Sequence, residues 1–140
     1  MNPRKALVSV AAAQLVTNAI GMAVALRRRH SFDVPFMHGD PDNVRRESIL
    51  WGTAMSAPVV MLATHTTALG VLARRPSRGA ARLLGWIGAV NVAGYLAERL
   101  VRKRLAPSGW DGLESPMVMA GIFLGAAMAL VARRELHGEP

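Results

Sequence analysis

The chain has 140 residues and a mass of 15.0 kDa, enough for one domain. Hydrophobic residues make up 51% of it and aromatics 5%, with a formal net charge of +8 from 17 Lys and Arg against 9 Asp and Glu. On a soluble chain that charge would point to nucleic acid, but here the charges cluster between long uncharged runs, the pattern of a chain threaded repeatedly through a bilayer. Disorder is excluded by this composition, and nucleic acid is not an expected partner. With no Cys, disulfides, thiolate metal sites and cysteine nucleophiles are excluded as well. Basic residues are nearly all Arg and Ala is abundant, which fits a GC-rich bacterial genome.

The first uncharged run, Ala6–Leu26, lies between Arg4-Lys5 and Arg27-Arg28-Arg29 and is long enough to span as a helix. Ala23-Val24-Ala25 resembles a signal cleavage site, but the apolar run is too long and three arginines follow directly, so the reading is an uncleaved span. The second run is Ile49–Ala73. Asp40-Pro41 predicts an early helix start before it, and Pro58 predicts a kink within it. A third span runs from Gly79 to Val101, flanked by Arg82, Glu98 and Arg99 near its ends; its uncharged centre, Leu83–Ala97, is short. The fourth is Pro116–Ala132, with Ser115 as its cap and Arg133-Arg134 as its stop. Trp51, Trp86 and Trp110 lie at or near span ends, where interfacial rings belong.

Short connections between these runs predict an all-α integral membrane protein. Its four transmembrane helices form an up-down-up-down antiparallel bundle in a single domain, spanning about 6–26, 49–73, 79–101 and 116–132. Asp40–Ser48 and Pro107–Leu113 then share one side and both termini the other. Basic residues divide almost equally between the two faces and fix the orientation only faintly, with the termini inside. Residue-by-residue comparison of the halves finds no internal repeat. The expected location is the cell membrane, as a multi-pass protein.

Polar residues inside spans are expensive in lipid and so face protein or water. Gln14 and Asn18 share one face of the first span, and Asn91, Tyr95 and Glu98 form a stripe on the third. With His65 from the second, these six are the candidate ligand-binding set, and Asn18, His65 and Asn91 fall in one mid-membrane layer. His65 and Glu98 are the candidate proton donors or acceptors if the chain is an enzyme, since both can titrate. In the first loop, His38, Asp40 and Asp42 have a spacing a metal could use, but Asp-Pro-Asp-Asn is ordinary turn chemistry. No metal or other cofactor is called for. Gly121 and Gly125, and Gly21 with Ala25, have the spacing of close-packed membrane helices.

The function expected from this pattern is an oligomeric binding or transport module whose polar layer takes a small or lipid-like ligand. Alternatives are a membrane-embedded enzyme acting on a lipid or isoprenoid, and an accessory or scaffold subunit of a larger complex. Membrane lipids and either a second copy or a membrane complex are the expected partners.

Overall fold

A computed structural model describes residues 2–138. Along the chain come α1 (Pro3–Arg28), a two-stranded hairpin of β1 (Asp33–Val34) and β2 (Met37–His38), and the single turn α2 (Val44–Glu47). After them come α3 (Val59–Arg74), α4 (Arg78–Ala97), α5 (Arg99–Leu105), a 3-10 turn at Pro107–Gly109 and α6 (Glu114–His137). The hairpin is antiparallel, Asp33 opposite His38 and Val34 opposite Met37. The protein is therefore helical apart from this small strand pair.

The four longer helices pack as a bundle in which α1 neighbours α3 and α6, α4 neighbours the same two, and α1 and α4 sit diagonally. The sequence makes this possible by placing one narrow stripe on each helix. On α1 the buried residues are Leu7, Ala11, Gln14, Asn18, Gly21 and Ala25, alternating steps of four and three. On α6 they include Val118, Gly121, Gly125, Met128 and Ala132. Small residues at these positions let backbones approach closely. A Cβ on Gly88 would lie 2.5 Å from the Gly125 carbonyl, and one on Gly121 would lie 2.7 Å from the Tyr95 ring.

The start of α1, the end of α6 and the α3–α4 turn lie at one end, where Arg4 donates to the Leu72 and Ala73 carbonyls and Arg78 to that of Leu136. The segments 29–58 and 98–113 gather at the other, tied by Arg28–Asp111 and by the Asp33 amide donating to Glu98. That is the division of loops the sequence predicts.

Helices α1, α4 and α6 are long and apolar enough to cross a membrane, whereas α3 is shorter. The expected second span, 49–73, is thus helical only from Val59, and it is this run, not the third, that falls short. Pro58 does not kink a helix; it is the residue that precedes one. Its ring fixes φ and removes an N–H, so a helix starts readily after it. Between Ser48 and Pro58 the chain doubles back instead. The Val59 amide donates to the Ser48 carbonyl and the Val60 amide to that of Ile49, closing the loop at its base. The tip, Gly52–Ser56, is buried inside the bundle, turning through Gly52 at φ +85° and a Thr53–Ser56 bridge.

Other limits move as well. Asp40-Pro41 begins a turn, with Asp40 accepting from the Asp42 amide and the Asn43 side chain, and not a helix. The third span ends at Ala97, because Glu98 is extended, and α5 starts afresh. The fourth starts at Glu114, its first amides capped by Asp111 and not by Ser115. Trp86 sits well inside α4, pointing outward, while Trp51 and Trp110 are in the loops.

Gly21 measures how tightly the inserted loop is seated, since a Cβ there would collide with the Met55 backbone carbonyl. Gly21→Ala is expected to cost about 1–3 kcal/mol of stability in detergent, because backbone cannot yield as a side chain can. Gly70, with nothing within 4 Å of its Cβ position, serves as the control. Gly70→Ala should leave the thermal midpoint unchanged or raise it by up to about 1 kcal/mol equivalent. Equal effects of the two substitutions would contradict the seating of the loop.

Candidate functional site

Because α3 begins late, the groove between its first turn and the last turns of α4 is not filled by helix. The inserted loop and the hairpin roof it over and leave a cavity of about 330 Å³. Val34, Phe36 and Met37 come from the hairpin, Trp51, Ala54 and Pro58 from the loop, and Val90, Asn91, Tyr95 and Glu98 from α4 and its end. At its rim Phe36 is 85% exposed, Trp51 57% and Val90 51%. The opening therefore faces sideways, past the outer surfaces of α3 and α4, as well as towards the loops.

The stripe Asn91, Tyr95, Glu98 is the part of the expected ligand-binding set that this cavity brings together. The Tyr95 hydroxyl donates to the Met55 carbonyl at 3.2 Å, holding the loop tip. Glu98 lies just beyond the end of α4, buried, and accepts from the Asp33 amide at 2.6 Å, holding the hairpin. Asn91 is 5% exposed, and its Nδ2 has no hydrogen-bond partner among the described residues. All three meet the cavity within one chain.

The remaining three do not line it. Asn18 is a structural bridge: its Oδ1 accepts from the Ala57 amide at 3.3 Å and its Nδ2 donates to the Gln14 carbonyl. His65 is fully buried beside the Ala11 carbonyl, outside hydrogen-bond geometry, so both its nitrogens lack partners among the described residues. The Gln14 amide is in the same condition. His38 is exposed on β2, Asp42 pairs with Arg29, and Asp40 is engaged in its own turn. Among the described residues no three His, Asp or Glu side chains form a group that could hold a metal ion.

Two features escape a reading of the sequence. One is the inserted loop itself, whose signal is Gly52 and Pro58 punctuating an apolar run. The other is Glu114, a fully buried carboxylate at the loop end of the bundle. Its Oε1 lies 2.5 Å from Arg28 Nη1 and 2.9 Å from His30 Nε2, and its Oε2 lies 2.5 Å from Arg104 Nε. Asp111-x-x-Glu114 before an apolar run is a capping pattern that announces this helix start. The amides of Glu114 and Leu113, and then the Arg28 guanidinium, hold the Asp111 carboxyl down to about 2. This node clamps α1, α5 and α6 together and borders no part of the cavity. No family model matches the chain, and no curated protein or solved structure is similar to it.

Burial pushes the Glu98 carboxyl up to about 7, with Asp33 adding repulsion, while the Asp33 amide and Arg102 pull the other way. Arg99 pairs with Asp33 at 3.6 Å and keeps that second carboxylate partly neutralised. A carboxyl whose folded pKa lies above its unfolded value holds its proton more tightly when folded. Its contribution is complete below about 4.5 and is lost as pH rises through about 7. The thermal midpoint of the wild type should therefore fall between pH 5 and pH 8 by more than that of Glu98→Gln, the difference isolating Glu98 from the histidines. Parallel curves for the two proteins would show that burial does not raise the Glu98 carboxyl.

Proposed function

We propose that this is a four-pass protein of the cell membrane that binds a lipid-like molecule in the cavity beside α4. Three passes rest on the length and composition of α1, α4 and α6. The fourth pairs α3 with the inserted loop. A helix of 16 residues extends about 24 Å, short of a hydrocarbon core of about 30 Å. Non-helical backbone is tolerated at that depth only where protein surrounds it. Asn18 and Tyr95 meet that condition for the Ala57 amide and the Met55 carbonyl. Outward-facing Val16, Ile20, Trp86, Phe123 and Leu130 then form the surface that lipid covers.

The observation that carries the ligand is the cavity's sideways opening. Its walls are mostly apolar, with a few polar groups contributed by the loop and by α4, the usual make-up of a small-molecule site. The volume suits part of an amphiphile, with a chain that continues past Val90 and Trp51 into the bilayer. Below Asn91 the bundle closes on Leu84, Ile87 and Met128, so the arrangement supports binding and not passage.

Photolabelling tests this reading. With the protein in lipid nanodiscs, a diazirine-bearing alkyl amphiphile should label the peptides holding Trp51 and Val90–Tyr95 saturably. Gly94 lines the cavity with open space at its Cβ position, so Gly94→Trp should occlude the site without a backbone clash. We expect it to cut that labelling at least about fivefold. Labelling at equal yield on the outer faces of α1 and α6, insensitive to Gly94→Trp, would contradict a site.

A further inference from the structure

The make-up of the cavity wall bears on the charge of the molecule it takes, and this inference rests on the binding reading above. The chain has three Phe, three Trp and one Tyr, and Phe32, Phe36, Trp51 and Tyr95 all line this one cavity. The Phe32 and Trp51 ring centres are 6.3 Å apart with their planes tilted by 40°, so the two rings are not stacked on one another. Although the chain has a formal net charge of +8, no Lys, Arg or His lines the cavity, and Glu98 is its one carboxylic acid. An acid beside aromatic rings offers an organic cation both a counter-charge and π faces for its alkylated surface.

Glu98 is placed to supply the counter-charge. It is 4% exposed, and its Oε1 accepts from the Asp33 amide. Its Oε2 has no hydrogen-bond partner among the described residues and is not one of the fully enclosed atoms, so it keeps surface where the residue lines the cavity. Asn91 Oδ1 is in the same condition and adds an acceptor. On α5, Arg99 pairs with Asp33, Arg102 donates to the Leu96 and Ala97 carbonyls, and Arg104 is held by Glu114. A carboxylate or phosphate head would meet Glu98 with no counter-charge, and an alcohol would leave the carboxylate uncompensated. We infer that the ligand is an amphiphile with a net cationic, alkylated ammonium head that sits between Glu98 and the aromatic side chains, its chain leaving past Val90 and Trp51. Long-chain amines and quaternary ammonium compounds share this chemistry; fatty acids, prenols and phosphate-bearing lipids do not. Burial raises the Glu98 carboxyl to about 7, and only its ionised form attracts the head, so affinity falls as pH drops through that value. Asp33 on β1, His38 opposite it on β2, and Arg99 and Arg102 on α5 are the other charged groups on this side, and none of them lines the cavity.

Tritiated dodecyltrimethylammonium, dodecanoate and dodecanol share one chain and differ in the head. We would measure their saturable binding to the full chain by scintillation proximity at pH 8, in dodecyl maltoside, a non-ionic detergent. The cation should half-saturate at least about tenfold below the other two, as expected for a charge pair supported by ring contacts. Glu98→Gln, whose Oε1 can still accept from the Asp33 amide, should raise the cation's half-saturation about tenfold and leave that of dodecanol unchanged. Trp51→Leu, at a residue 57% exposed, should raise it about threefold and serves if the glutamine variant does not fold. Between pH 8 and pH 5.5 the wild type should lose about as much affinity for the cation as Glu98→Gln removes, while that variant stays flat. The trimethylammonium charge does not titrate, so the change belongs to the protein. Dodecylphosphocholine at equal concentration should displace little of the cation. A preference for dodecanoate or dodecanol, displacement by dodecylphosphocholine as effective as by unlabelled cation, or a cation response indifferent to both substitutions would overturn the inference while binding stands. Saturable binding of none of the three would overturn the binding reading as well.

Discussion

A peptide group enclosed by packed helices has no water to turn to, and the loop tip Gly52–Ser56 carries five residues of non-helical backbone into that setting. It can stay there because the protein supplies partners. The loop is sealed at its base by its own amides and carbonyls, bridged at its tip, and held at Ala57 and Met55 by Asn18 and Tyr95. Gly21 on α1 provides the room for Met55 to approach. Remove any of these and a buried polar group is stranded, at a cost of about 1–3 kcal/mol each. The cavity follows from this arrangement: a loop is thinner and more irregular than the helix it replaces, and the groove beside α4 stays open.

The loop end of the bundle is organised around charge. Glu114 gathers Arg28, His30 and Arg104, Asp111 caps α6 and pairs with Arg28, and Arg99 pairs with Asp33. Acids at this end hold neighbouring segments in place and supplement the small apolar cluster of Ala25, Ala54, Met55, Tyr95, Val101 and Val118. At the opposite end Arg4 and Arg78 bond backbone carbonyls, and the arginines at 74, 75, 133 and 134 form no ion pair among the described residues. Those side chains are free to meet anionic headgroups. Two ends with almost equal numbers of basic residues are therefore physically unlike.

Much of the fold was legible because helix burial leaves a periodic trace. The stripe Gln14, Asn18, Gly21, Ala25 on α1 and the stripe Asn91, Tyr95 on α4 read directly as interior faces, and the division of loops between the two ends follows from them. What stayed hidden is long-range. Hydropathy is the same for Ile49–Ala73 whether it forms one helix or a loop and a helix, since it depends on composition and not on the path of the backbone. Pro58 is compatible with a kink and with a helix start; only the pairing of Val59 with Ser48 decides between them. His65 illustrates the converse. Its depth and chemistry single it out in the sequence, yet it packs away from the cavity, while Asn91 in the same layer faces into it. Glu114 leaves no such trace, because its partners Arg28, His30 and Arg104 come from residues distant in sequence or from a separate short helix.

The cavity and the loop end both depend on the second apolar run folding back on itself. Ile49 and Val60 are joined by a backbone hydrogen bond of 3.3 Å, and both side chains are about half exposed, so replacing them disturbs no core. In one continuous helix these two positions would be about 16 Å apart. The chain has no cysteine of its own, so an Ile49→Cys, Val60→Cys protein in bilayers gives an unambiguous reading. The fold described here requires near-complete intramolecular linkage by copper phenanthroline or the shortest bis-methanethiosulfonate reagent, with the thermal midpoint retained. Two free, separately labelled thiols would mean an unbroken helix and no cavity beside α4.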